Sequence, residues 1–144
     1  MGIAGMLING WHSDRTAERR WHSAIPLISA GLMFGLLTVF RHEIPLATAC
    51  LLLGSGFLYA YYPAFWAIPT MMLSKAAAAA TFGLINSIGQ LGGLAGNYTI
   101  GYLNDRTHSL AASFAFIALV YLVAGSLVLS LRTRVPVSVQ QRSS

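Results

Sequence analysis

The stretch AAAAATFGLINSIGQLGGLAGNYTIGYL, residues 76–103, decides the fold. It carries no charge over more than the roughly 20 residues a helix needs to cross a bilayer. Yet it is not uniformly apolar. Asn86, Gln90, Gly93 and Asn97 recur at spacings of four, three and four, which puts them on one helical face. Gly89 with Gly93, and Gly92 with Gly96, form overlapping small-xxx-small pairs, a pattern that lets a second helix come close. An amide facing lipid tails costs free energy, so such a stripe turns toward a protein interior or a watery cavity. It is either a tight helix contact with buried amides or a wall of a solute pathway.

The rest of the chain obeys the same chemistry. Of 144 residues, 56% are hydrophobic and 9% charged, with a mean hydropathy of +0.63. Soluble domains carry about 25% charged residues, which argues against a soluble fold. The charges gather at Asp14–Arg20, Arg41 and Glu43, Lys75, Asp105 and Arg106, and Arg132, Arg134 and Arg142. Between them lie uncharged runs at 21–40, 44–74, 76–104 and 107–131, each long enough for a crossing. This pattern predicts an all-α polytopic membrane protein, with four transmembrane helices plus the end of a fifth. A strand-built barrel would need shorter, alternating segments.

The net charge of +5 is no nucleic-acid footprint. The basic residues sit at span ends, where they set orientation, and no aromatic-basic surface pattern accompanies them. Cys50 is the only cysteine, so no internal disulfide forms and a metal-thiolate cluster is unsupported. No cofactor or metal is expected.

Taken in order, residues 1–9 read as the end of a transmembrane helix whose start lies outside the sequence, so the chain reads as a fragment. Residues 10–22, GWHSDRTAERRWH, read as a polar cytoplasmic loop. A span follows at 23–40, with Pro26 in its first turn, where proline is tolerated. Residues 44–74 are too long for one crossing, about 45 Å at 1.5 Å per residue against a core of roughly 30 Å. Pro63 and Pro69 resolve this by breaking the helix, leaving a crossing near 46–62 and a broken end at 63–74. Tyr59, Tyr61, Tyr62, Phe65 and Trp66 crowd the break. They form an interfacial aromatic belt, or Tyr62 and Trp66 line a solute cavity. Ser74 is placed to cap the next helix, 76–103. A last span occupies 110–131, and 132–144 read as a polar cytoplasmic tail. With the first loop inside, Arg15, Arg19, Arg20, Lys75, Arg132, Arg134 and Arg142 lie on the cytoplasmic side, against Arg41 and Arg106 outside.

Two motifs resemble a known family. Gly10, Asp14, Arg15, Arg19 and Arg20 match the Gly-x-x-x-Asp-Arg loop signature of the major facilitator superfamily, with Ala17 replacing its second glycine. FWAIPTMMLSKAAAAATFGLINSIGQLGGLAG, residues 65–96, resembles the helix ten to helix eleven region of the anion:cation symporter family. The closest pattern is its tartrate, phthalate and 4-hydroxyphenylacetate permease branch. Gln90 stands where that branch often has Asn, and Asn97 where it often has Pro. The resemblance implies the end of helix eight plus helices nine to twelve of a twelve-helix carrier. It also implies a missing N-terminal half and a multi-pass location in the plasma (inner) membrane.

The implied function is transport of small organic anions with a coupling cation, usually a proton, by alternating access. No Asp, Glu, Lys, Arg or His lies within the four expected membrane cores, so the charged part of such a mechanism is expected in the missing half. Neutral hydrogen bonding remains, with Asn86, Gln90, Trp66 and Tyr62 as candidate substrate-binding residues. Asp14 and Arg15 are candidate gating residues. By the resemblance, Asp14 faces the cytoplasmic start of the 76–103 helix, where a carboxylate is favoured by the helix dipole. A membrane enzyme would need clustered acids, histidines or a nucleophile at a shared depth, which the sequence does not offer. The alternatives are a free-standing membrane assembly protein and a non-functional truncated remnant.

Overall fold

The computed structural model describes residues 2–16 and 18–131, which form six helices. They are α1 (Gly2–Thr16), α2 (Arg19–Val39), α3 (Ile44–Ala60), α4 (Tyr62–Met72), α5 (Lys75–Thr107) and α6 (Leu110–Ser130). The tail at 132–144 lies outside the described residues, as do the three arginines it adds to the orientation count.

Local chemistry sets most helix ends. Pro45 and Pro63 occupy the first turns of α3 and α4, where no backbone donor is needed. Ser74 caps α5 by accepting from the Ala77 N–H, as expected, and Ser109 caps α6 by accepting from the Ala111 N–H. His108 ends α5 in the left-handed region at φ 48°, and its N–H donates to the Asn104 carbonyl at 2.8 Å.

The core is built on α2, which packs against α6, α3, α4 and α1. Ala30, Phe34 and Leu37 from α2 join Cys50 of α3 and Ala118 of α6 in one buried cluster. Ala24 and Leu27 meet Val128 in a second. The α2–α6 contact is close because Gly31 and Gly125 carry no side chain. A Cβ at Gly125 would lie 2.6 Å from Ile28 Cγ1, and one at Gly31 would lie 3.0 Å from the Ala118 carbonyl oxygen.

Three expectations change. The polar stretch at 10–22 is largely helical: α1 runs through Thr16 and α2 starts at Arg19. Pro26 therefore lies inside α2 rather than in its first turn. The small-xxx-small pairs of α5 are also unused in this chain, since a Cβ at Gly89, Gly92, Gly93 or Gly96 would meet nothing within 4 Å. The break after α3 is at Tyr61, close to its expected place.

Among the described residues, three segments are long and apolar enough to cross a membrane: Arg19–Val39, Ile44–Met71 and Leu110–Ser130. The fourth expected crossing, α5, is the longest helix at 33 residues but does not meet that measure, because its glycines, amides and hydroxyls dilute its apolar character.

Candidate functional site

At 100° per residue, the surface of α5 divides into three sectors. One sector packs on the protein: Ala78 is buried, and Phe82, Ile85, Ile100 and Leu103 are half-buried. The Ser113 hydroxyl of α6 donates to the Ile100 carbonyl at 3.3 Å on this side. About a quarter turn away runs the amide stripe, with Asn86, Gln90 and Asn97 all exposed. The remaining sector is apolar and bare, with Leu84, Ile88, Leu91 and Tyr98 exposed. The stripe is thus neither buried in this chain's core nor part of its α5–α6 contact. An unpaired amide in an apolar medium costs about 2–7 kcal/mol, so the stripe fits a polar surrounding and not lipid tails.

The candidate solute residues fall into two groups. Trp66 packs edge-on against Phe82, with ring centroids 5.4 Å apart, and so ties α4 to α5. Phe82 precedes Asn86 by four residues, which puts the indole beside the N-terminal end of the stripe. Tyr62 instead belongs to the aromatic cluster at the helix break, 4.7 Å from Tyr61 and 6.4 Å from Tyr59 between centroids. Asn97, the last amide of the stripe, lines a cavity of about 570 Å³ between α2, α3, α5 and α6, with Phe34, Leu58 and Tyr121 on its walls. Asn86, Gln90, Trp66 and Tyr62 lie outside that cavity.

The candidate gating residues lie elsewhere. Asp14 forms a salt bridge with Arg19, which also donates to the Ser13 hydroxyl at 3.1 Å. The Arg15 guanidinium lies 4.0 Å from the centre of the Trp11 ring. Among the described residues α1 makes no contact with α5, so the expected pairing of Asp14 with the start of α5 is absent. The carboxylate has a guanidinium five residues away, a stronger partner than a helix dipole.

Asn9 was not a candidate from sequence. Its side-chain amide donates to the His22 carbonyl at 2.7 Å and to the Ala60 carbonyl at 2.8 Å, which joins α1 to α2 and to the end of α3. The signal was present: Pro26 follows His22 by four residues and leaves that carbonyl without a helical donor.

Among the described residues, six helices, with spanning segments in α2, in α3 with α4, and in α6, define a helical membrane protein. Its sequence relatives are transport proteins. The chain is 38% identical to a protein of Agrobacterium vitis named as a tartrate transporter, over 99% of this chain and 31% of the relative. It is 31% identical to the metabolite transport protein NicT of Pseudomonas putida, over 89% of this chain and 28% of the relative. A quinolone resistance transporter of Acinetobacter baumannii is 34% identical over 84% of this chain. The chain spans about a third of the length of the curated relatives it matches. No protein-family model and no solved structure matches it.

Proposed function

We propose that this chain forms part of the C-terminal half of a secondary active transporter for small organic anions, of the anion:cation symporter family in the major facilitator superfamily. The observation that carries the reading is the 38% identity to a named tartrate transporter across nearly the whole chain. In this reading α2, α3 with α4, α5 and α6 make four crossings, and α1 ends a further one. The α1–α2 connection and the tail are cytoplasmic, in the plasma (inner) membrane. The amide stripe of α5 faces the solute path between the two halves of the carrier, where broken helices and neutral donors hold the anion. Asn86 and Gln90 donate to its carboxylate, and Trp66 closes the path at the α4–α5 contact. Tyr62 contributes from the aromatic cluster, and Asp14 and Arg15 brace the cytoplasmic end of α1. A proton is the coupling cation, and the chain moves its solute without transforming it.

The test is uptake of labelled tartrate, and separately of an aromatic carboxylate, by cells expressing the complete polypeptide that contains this chain. Saturable uptake lost on Asn86→Ala supports the reading. A native polypeptide no larger than 144 residues that is stable and inert to both acids would sink it, and would favour an assembly protein or a remnant.

A further inference from the structure

The turn from α1 to α2 carries a second polar centre. Nδ1 of His12 lies 2.5 Å from Nε2 of His22, and the ring centroids are 4.8 Å apart. Nδ1 of His22 lies 2.6 Å from the backbone carbonyl oxygen of Glu18. A carbonyl only accepts, so His22 Nδ1 carries a hydrogen and donates it. In the neutral ring Nε2 is then a bare lone pair, and the hydrogen between the rings belongs to His12 Nδ1. Each bond fixes the next, and the order runs from His12 through His22 to the Glu18 carbonyl. Of the two ring nitrogens without a hydrogen, His22 Nε2 accepts from His12, and His12 Nε2 is the one with no donor facing it.

Both rings line a cavity of about 420 Å³ between α1, α2 and α3. Asn9 is the other polar residue in its wall, and its amide hydrogens are committed to the His22 and Ala60 carbonyls. From α3 the wall is Leu53, Gly56, Phe57 and Ala60, all neutral, and α4 contributes no lining residue. The nearby charges on α1 and α2 are otherwise engaged. Asp14 pairs with Arg19, Arg15 lies over Trp11, and Arg20 donates to the Leu131 carbonyl at 3.0 Å. Glu18 is exposed on the connection. No carboxylate lines the cavity to fix a charge on either ring.

We infer that His12 and His22 form a one-proton site that joins α1 to α2. A proton added at His12 Nε2 leaves the ring-to-ring bond in place and makes it charge-assisted, and therefore stronger. The proton between the rings can then pass to His22, so both share the charge. A second proton would set two N–H groups against each other across the same gap and break the bond. The site holds one added proton, and no more while α1 stays docked. In a proton-driven carrier it would give this chain a titratable group that its uncharged cores lack. That use rests on the function proposed above; the site itself does not.

The test is long-range proton–nitrogen correlation NMR of the full chain, labelled with ¹⁵N-histidine, in lipid bilayers. His42→Gln with His108→Gln removes the other two histidines and leaves only the pair. Near pH 8 both rings should show the Nδ1–H tautomer. On acidification to pH 5 both should shift together, with the uptake of a single proton. His12→Gln keeps a donor toward His22 Nε2, so it should preserve the His22 tautomer and abolish the joint shift. Two rings that titrate independently, or a His22 ring protonated at Nε2 near pH 8, would overturn the proposal.

Discussion

The side-chain amide of Asn9 donates at 2.7 Å to the backbone carbonyl of His22, the carbonyl that Pro26 leaves without a helical partner. Its second hydrogen reaches the Ala60 carbonyl at 2.8 Å, at the last residue of α3, where helical donors also run out. One side chain thus closes two backbone gaps on two different helices. It lets α2 carry a proline seven residues from its start without unravelling there.

Replacing Asn9 by Ala should therefore destabilise the fold through both carbonyls. Hydrogen bonds between membrane helices average about 0.6 kcal/mol, so the loss should be about 1–2 kcal/mol. Adding Pro26→Ala returns a donor to the His22 carbonyl and should recover part of that loss. Unfolding in mixed micelles across this double-mutant cycle measures it, and additive effects of the two substitutions would contradict the link.

The α2–α6 contact depends on bare backbone. Gly125→Val must move Ile28 and approach the Ala24 carbonyl, so it should cost about 1–3 kcal/mol. Gly89→Ala meets open space and should lie within about 0.5 kcal/mol of the parent in the same assay. Equal sensitivity at the two glycines would show that a further helix covers α5.

Trp66→Ala removes the edge contact with Phe82, worth about 0.5–1.5 kcal/mol beyond area burial. Amide exchange in the first turns of α5 should rise, while exchange in α6 stays unchanged. Protection unaltered in both helices would mean that another contact anchors α5.

Asn86→Ala and Gln90→Ala change exposed side chains and should leave unfolding within about 0.5 kcal/mol of the parent. If the proposed function holds, each should lower organic-anion uptake by the polypeptide that contains this chain at least tenfold, the loss of about one charge-assisted hydrogen bond. Full uptake in both variants would remove the stripe from the solute path.

The opening polar stretch offers a check on gating. Asp14→Asn breaks an ion pair between an exposed carboxylate and the half-buried Arg19, so its stability effect should be about 1 kcal/mol. A cysteine placed at Ala77 should label at the same rate with and without it, because α1 and α5 do not touch. A changed rate would restore the contact expected from sequence.

Some of this was fixed by the sequence alone. Uncharged runs of 20 residues or more force helices, since only a helix satisfies its own backbone donors and acceptors in an apolar medium. The prolines placed the break after α3, and Ser74 placed the start of α5, because those effects act within one helical turn. The amide face of α5 was legible for the same reason: a period of 3.6 residues needs no knowledge of neighbours. What each face meets is a long-range fact, and the tertiary structure decided it. It made α2 rather than α5 the centre of packing and gave the close approach to Gly31 and Gly125 instead of the glycines of α5. It paired Asp14 with Arg19, and it brought Asn9, His12 and His22 together across the α1–α2 turn. Spacing along a chain tells which residues share a face. Only the folded arrangement tells which other face, backbone carbonyl or ring lies within hydrogen-bond reach of it.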